Sequence, residues 1–159
     1  MRGLSRMMVL DWIWNGEEER WQFVFERQVP YIEIRWGVRR RKWVADEVVV
    51  SVVGEANHRD AGLCALVSSY AVKLDELIEA IAHYLPRRAI NVYYGINPRV
   101  SVVHPPNFPE IRPYEIAISD LTRPKRVHVW VDTSYPDPYY TYEIIFEDME
   151  IVDARGEFV

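Results

Sequence analysis

Hydrophobic and polar residues alternate along several stretches of the chain, which is the pattern of strands that bury one face. The first three of these stretches follow one another closely, and we predict that they form an antiparallel meander. A turn is predicted at Pro136–Pro138. The predicted strands are Arg20–Phe25, Tyr31–Trp36, Trp43–Val53, Asn91–Tyr94, Glu115–Ile118, Arg126–Val131 and Thr141–Phe146.

One stretch has the period of a helix instead. Its apolar residues recur at spacings of three and four: Leu74, Leu77, Ile78, Ile81, Ala82 and Leu85. One face of this helix must pack on a sheet, and we predict that Ser68 or Ser69 caps it and that Pro86 ends it. A short helix is predicted at Met7–Trp14. The predicted fold is therefore α+β, with an antiparallel or mixed sheet packed against one long helix in a single domain, residues 1–159.

The composition is that of a globular protein. Hydrophobic residues make up 49% of the 159 residues, enough for one core. No apolar run is long enough to cross a bilayer, and the N-terminus lacks the apolar core of a signal peptide. We therefore expect no membrane partner and a cytoplasmic location. The single cysteine, Cys64, excludes an intramolecular disulfide and lies among residues typical of a core.

The charge is acidic overall but basic in one place. The net charge of −5 argues against a protein that simply coats nucleic acid. Cations and tryptophans nevertheless cluster in one predicted hairpin: Arg35, Trp36, Arg39, Arg40, Arg41, Lys42 and Trp43. Such cations can contact phosphates, and the tryptophans can stack on unpaired bases. The alternative makes both tryptophans core residues of a hairpin whose tip is solvated, and the sequence leaves both interpretations open.

The segment Asn91-Val-Tyr-Tyr-Gly-Ile-Asn-Pro-Arg99 directly follows the predicted helix and is the most specific motif of the chain. Gly95 permits a bend, and Pro98 cannot donate to a sheet, so Arg99 is expected just past a turn. The segment resembles the N-V-Y-F-G-V-N-P-R signature of the archaeo-eukaryotic primase superfamily, especially the primase–polymerases of plasmids, viruses and integrated elements. Arg99 is therefore a further candidate for phosphate contact, with a salt bridge to a nearby acid as the alternative.

Two other stretches are similar to parts of this family. Tyr31–Arg35, followed by the basic run, looks like the strand and basic turn that open such domains. Arg126–Asp132 looks like the strand that ends in the family's acidic pair, but Ser134 stands where the second acid is expected. The resemblance covers roughly residues 20–135. Because the remaining residues leave no room for the later family motifs, it implies the front half of a primase–polymerase module or a reduced relative.

The resemblance implies nucleotidyl transfer, in which two carboxylates hold Mg²⁺ or Mn²⁺ against a triphosphate. Asp132 supplies one carboxylate. Asp137 can supply the second if the turn after the strand folds back, and Glu143 can supply it from the neighbouring strand. The predicted catalytic residues are therefore Asp132 and Asp137, and the predicted metal ligands are Asp132 and Glu143. The alternative is that Asp132 merely ends a strand and caps its turn.

We therefore predict a reduced primase–polymerase-like replication accessory or nucleic-acid-binding module, with weak or no catalysis. Whether it is an enzyme stays open; an active form would be a metal-dependent DNA primase or polymerase. The predicted partner is single-stranded nucleic acid or a replication protein. The alternative is a non-enzymatic protein-interaction module of a mobile element or of a thermophilic host. A thermophilic host is indicated by only two glutamines beside many charged and β-branched residues.

Overall fold

The computed structural model describes residues 12–35, 38–85, 90–93, 99–102, 110–133 and 140–158. In this part of the chain nine strands form one sheet, and two helices follow the third strand. The strands are β1 (Ile13–Asn15), β2 (Arg20–Arg35), β3 (Val38–Val53), β4 (Ile90–Tyr93), β5 (Arg99–Val102), β6 (Glu110–Ile118), β7 (Val127–Asp132), β8 (Tyr140–Glu147) and β9 (Glu150–Phe158). The helices are α1 (Ala61–Val72) and α2 (Leu74–Tyr84).

The sheet is mostly antiparallel. Its strand order is β1-β2-β3-β6-β7-β8-β9-β4-β5. The pairs β3–β6 and β4–β9 are parallel, and the other neighbouring pairs are antiparallel. Both parallel pairs join strands that are distant in the chain, because parallel neighbours need a crossover connection. Among the described residues no helix is long and apolar enough to cross a bilayer.

The predicted fold class is wrong in its helical layer, because two short helices take the place of one long helix. The apolar face predicted for the helix is confirmed in α2, where Leu77, Ile78 and Ile81 are buried. This helix begins at Leu74, directly after a break at Lys73.

The preceding helix, α1, was not predicted. It consists of small and apolar residues around most of its circumference, so its sequence shows no helical period. Ser68 and Ser69, the predicted caps, lie inside α1. The observed cap is Asp60, whose carboxylate accepts a hydrogen bond from the backbone nitrogen of Leu63 at 3.0 Å.

The strands β2 and β3 form one long hairpin that pairs without interruption from Arg20–Val53 to Arg35–Val38. The prediction of two separate strands within β2 is therefore wrong. Pro30 lies inside β2, opposite Trp43. A proline has no backbone N–H to donate to a neighbouring strand. Pro30 is tolerated because, among the described strands, none pairs at this residue with the edge of β2 that faces away from β3. On that edge β1 pairs with the start of β2, and β6 pairs with Ile32 and Glu33.

The strand β6 pairs with both strands of this hairpin. Its start, at Glu110 and Ile111, pairs near the hairpin tip with the edge of β2 that faces away from β3. Its end, at Glu115–Ile118, pairs near the hairpin base with the edge of β3 that faces away from β2. Between these contacts β6 has a register irregularity at Pro113–Glu115 and advances fewer residues than the hairpin does, so the hairpin must both twist and bend between its tip and its base.

The hairpin face that turns toward the core at the base is not the face that turns toward the helices at the tip. At the base, Phe23 and Val50 share one face and are buried in the core. Near the tip, the buried Ile32 and its partner Arg41 lie on the opposite face. Arg41 nevertheless forms ion pairs with α2. The helical layer therefore meets one face of the hairpin at its base and the other face at its tip.

The helices cover one face of the sheet, where they pack against β2, β3 and β6. Tyr70 of α1 extends this contact to the hairpin of β8 and β9. Its ring meets the ring of Phe146 edge-on at 5.9 Å, and its hydroxyl accepts a hydrogen bond from the backbone nitrogen of Met149 at 2.9 Å. Burial and the nearby acids raise the pKa of Tyr70 despite this hydrogen bond, so the hydroxyl stays neutral at physiological pH.

The other face of the sheet is polar. In β7 the valines are buried on the helical side, whereas His128, Trp130 and Asp132 alternate with them and lie on the opposite side. In β8 the residues Thr141 and Glu143 lie on this same polar side, because they pair with Asp132 and Trp130. We call this side the polar face of the sheet.

The remaining sequence predictions concern the ends and one turn. The predicted helix at Met7–Trp14 is wrong at its described end, because Ile13 and Trp14 belong to β1. The residues before Trp12 and the predicted turn at Pro136–Pro138 lie outside the described residues. The last strand, β9, was not predicted.

Two tight turns place non-glycine residues in the left-handed region of backbone space. Asp148 and Met149, with φ of 51° and 65°, join β8 to β9 in a two-residue hairpin turn. Glu19, with φ of 52°, precedes β2. Such a conformation costs about 1–2 kcal/mol in a residue that carries a Cβ.

We expect Glu19→Gly to raise the free energy of unfolding by about 0.5–1 kcal/mol, because glycine adopts positive φ without this strain. The control is Glu17→Gly, which removes the same charge from a residue that is not among those of positive φ. This control should lower the free energy of unfolding by about 0.5 kcal/mol, because glycine loses more backbone freedom on folding. Urea denaturation measures both, and equal changes in the two variants would contradict the assignment of strain to Glu19.

Candidate functional site

The basic hairpin comprises residues Arg35–Trp43, at the tip of β2 and β3. The sequence interpretation placed its arginines in a turn, but Arg39, Arg40 and Arg41 are strand residues that pair with β2. All three are exposed. Trp43 is 54% exposed, so the alternative that placed this tryptophan in the core is wrong.

Two cations of the basic hairpin are paired with acids. The guanidinium of Arg41 lies between two carboxylates of α2, at 3.7 Å from Asp75 and 3.0 Å from Glu79. These acids are one helical turn apart and therefore share a face of α2. The ammonium of Lys42 lies 3.0 Å from the carboxylate of Glu33, a buried residue of β2. The buried Glu33 carboxylate thus has a counter-ion.

Arg39 and Arg40 differ from these two cations, because no ion pair joins them to another described residue. Their charges are available to a ligand. The side chains of Arg35 and Trp36 lie outside the described residues, as does the side chain of Arg99, the first residue of β5. The predicted contacts of these three side chains therefore stay predictions.

The two predicted metal ligands, Asp132 and Glu143, lie on the polar face. Asp132 is half-buried at the end of β7, and its Oδ1 accepts a hydrogen bond from the hydroxyl of Thr141 at 3.0 Å. Burial, together with the nearby carboxylate of Asp132, raises the pKa of Tyr114. Asp137, the other predicted catalytic residue, lies outside the described residues.

Glu143 is buried and already holds two partners. Its Oε1 lies 3.1 Å from Nε of Arg155, and its Oε2 accepts a hydrogen bond from Nη2 of Arg155 at 3.4 Å. Oε1 also lies 3.4 Å from Nδ1 of His128. This carboxylate therefore contacts side chains of both strands that neighbour β8, which are β7 and β9.

The structure brings Asp132 and Glu143 to the same face, on diagonal positions of neighbouring strands. A metal ion bound by both would have to replace Arg155 at the Glu143 carboxylate. Among the described residues there is no group of three or more histidine, cysteine, aspartate or glutamate side chains that could hold a metal ion. The catalytic and metal-binding roles of these residues stay predictions.

The sequence interpretation missed a cleft of about 440 Å³ on the polar face, near the base of the long hairpin. It is lined by Glu18, Arg20, Glu115, Ser119 and Trp130. Glu115 and Trp130 are cross-strand partners on β6 and β7. Arg20, Glu115 and Trp130 are visible in the sequence as polar or aromatic strand positions, but the strand order that brings them together is not.

Arg20 joins this cleft to the hairpin. Its Nη1 donates hydrogen bonds to the hydroxyl of Ser51 at 2.9 Å and to Oε1 of Glu115 at 3.2 Å. Burial raises the pKa of the Glu115 carboxyl, and Arg20 opposes this rise. The neighbouring charges of Glu18 and Glu143 raise it further. Glu115 is therefore a carboxyl that takes up a proton more readily than an exposed glutamate.

Comparisons of the chain with protein-family models, with curated proteins and with solved structures found no match. The resemblance of Asn91–Arg99 to the primase superfamily therefore stays a sequence-based prediction.

We expect Glu115 to make the protein less stable as pH rises from its ordinary pKa of 4.5 through its raised value in the folded state. In this window the unfolded chain releases the proton first, so ionisation favours unfolding. Glu115→Gln removes this titration. The free energy of unfolding of the parent should therefore fall relative to the variant as pH rises, and parallel pH profiles from urea denaturation would contradict the prediction.

Proposed function

We propose that this protein binds single-stranded nucleic acid through the basic hairpin, weakly and without sequence preference. The observation that carries the proposal is the exposed Trp43 on the same strand as Arg39 and Arg40, which are exposed and form no ion pair with another described residue. Single strands offer unpaired bases for stacking and phosphates for charge contacts, and these side chains suit both. The resemblance of Asn91–Arg99 supports an accessory role in replication, with a replication protein as a further partner.

The arrangement of the side chains favours an extended strand as the ligand. Arg39, Arg41 and Trp43 occupy alternate positions of β3 and therefore share a face, with successive side chains about 7 Å apart. A stretched nucleic-acid strand can contact such a row one group after another. Stacking on an indole and charge contacts with phosphates do not depend on the base edges, which is why we propose no sequence preference.

The acids of α2 moderate this interaction. Asp75 and Glu79 compete with phosphates for Arg41. Such an exposed ion pair contributes only about 0–1 kcal/mol, so a phosphate can replace a carboxylate at little cost. The net charge of −5 repels phosphates over a longer range. We therefore propose binding that is weak and that salt readily disrupts.

We expect the double variant Arg39→Ala/Arg40→Ala to bind a fluorescent single-stranded oligonucleotide more weakly than the parent. The slope of log K against log salt should become shallower by about 0.7, since each lost phosphate contact removes about 0.7 and Arg39 is the one of the two that shares a face with Trp43. Trp43→Ala should lose about 1–3 kcal/mol of binding free energy through lost stacking, with little change in this slope. Fluorescence anisotropy across a salt series measures both quantities.

The matched control is Arg123→Ala/Lys125→Ala, which removes the same charge from the exposed loop between β6 and β7. This control should bind nearly as the parent does. If both double variants lose the same affinity, overall charge explains the binding and the hairpin is not the site.

The alternative function is a protein-interaction module, in which the exposed Val38 and Trp43 of the hairpin contact an apolar surface. Salt dependence separates the two functions, because apolar contacts do not weaken as salt rises. If the parent binds no oligonucleotide even at low salt, the protein-interaction module is the function that remains.

We expect no appreciable primer synthesis on a single-stranded template with Mg²⁺ or Mn²⁺. Transfer between two metal ions needs fixed carboxylate geometry, and the Glu143 carboxylate is held by Arg155. The parent, Asp132→Ala and the control Asp153→Ala should therefore give equally low incorporation of labelled nucleotide. Robust synthesis that is lost only in Asp132→Ala would show that the protein is a polymerase.

A further inference from the structure

The cleft on the polar face has the size and the chemistry of a small-ligand site. Its volume of about 440 Å³ lies within the range of such sites, about 300–1,000 Å³. It lies near the base of the hairpin, because Glu115 pairs with Val49 of β3, far along the strand from Arg39. The basic hairpin therefore does not contribute to it.

The charges in this cleft already balance one another in part. Arg20 donates to Glu115, and the carboxylate of Glu18 lies 3.9 Å from Nε of Arg20. An anion would meet the carboxylates of Glu18 and Glu115, and a cation would meet Arg20. A neutral ligand avoids both repulsions and leaves the pairing of Arg20 with Glu115 intact.

Hydroxyl groups match the hydrogen-bonding capacity that remains. Nε of Arg20 is buried and, among the described residues, has no hydrogen-bond acceptor within reach, since the Glu18 carboxylate stays 3.9 Å away. The carboxylate oxygens of Glu115 and Glu18 have lone pairs that can accept further hydrogen bonds. A ligand with adjacent hydroxyls can accept from the guanidinium through one and donate to a carboxylate through the next. Ser119 adds a hydroxyl of its own at the cleft.

Trp130 supplies the apolar part of the site. It lies half-buried between Glu115 and Glu143, its cross-strand partners on the polar face. An indole ring offers a large, rigid apolar surface. A sugar ring presents C–H groups on its face and hydroxyls at its edge, and so complements both the indole and the charged pair. From these features we infer that the cleft binds a neutral polyhydroxylated ligand of monosaccharide size.

The test is a titration of the ¹⁵N-labelled protein with D-glucose, D-galactose and D-ribose, followed by ¹H–¹⁵N correlation spectra. Glycine and inorganic phosphate serve as charged probes. The indole N–H signal of Trp130 is identified by its loss in Trp130→Phe. A saturable shift of this signal with at least one sugar, and none with glycine or phosphate, is the expected result.

Variants then locate the binding. Glu115→Gln keeps the shape and the acceptor for Arg20 but removes the ligand's charged acceptor, so affinity should fall about three- to ten-fold, the effect of one lost hydrogen bond. The sugar affinity of Ser119→Ala should fall by a similar factor. Glu76→Gln, an exposed change on α2, should bind as the parent does. Well-dispersed spectra of each variant verify folding.

Three results would overturn the inference. The first is the absence of any shift of the Trp130 signal at the highest soluble concentration of each sugar. The second is a shift with glycine or phosphate in place of the sugars, which would assign the cleft to charged ligands. The third is a sugar affinity that stays unchanged in both Glu115→Gln and Ser119→Ala, which would place the binding elsewhere.

Discussion

The pairing of β6 with both strands of the long hairpin is the constraint on which the rest of the structure depends. Because β6 meets opposite edges of the hairpin on either side of a register irregularity, the hairpin must twist and bend between its base and its tip. This twist lets the base of the hairpin bury Phe23 under the helices while the tip presents its other face to α2. It also explains why Val29–Glu33 is buried at consecutive positions and shows no alternation.

The same twist separates two surfaces of different chemistry. The hairpin tip, with Arg39 and Trp43, projects cations and an exposed indole beside α2. The base, with Arg20 and Glu115, forms a cleft of mixed charge on the polar face. Because both surfaces belong to one continuous hairpin, a ligand at either end contacts the same rigid element. On the polar face, the contacts of Glu143 with Arg155 and His128 join neighbouring strands.

The spacing of apolar residues predicted individual helices and strands, but it did not predict features that depend on contacts between segments distant in the chain. The spacing of Leu77, Ile78 and Ile81 predicted the buried face of α2, because helix period and burial coincide there. The helix α1 was missed because apolar residues cover most of its surface. The candidate cleft was missed for another reason. Arg20 and Glu115 are 95 residues apart in the chain, and only the strand order makes them neighbours.

The position of β9 in the sheet sets an order for folding. This strand lies between β8 and β4, so the segment at Asn91 acquires its parallel neighbour only after residues near Arg155 have been synthesised. Until then, β4 and β5 have only each other as partners among the described strands, and an isolated two-stranded hairpin is marginally stable in water. Stable pairing of β4 in the sheet therefore requires β9. Such long-range contacts slow folding, and until they form β4 can pair with wrong partners during synthesis.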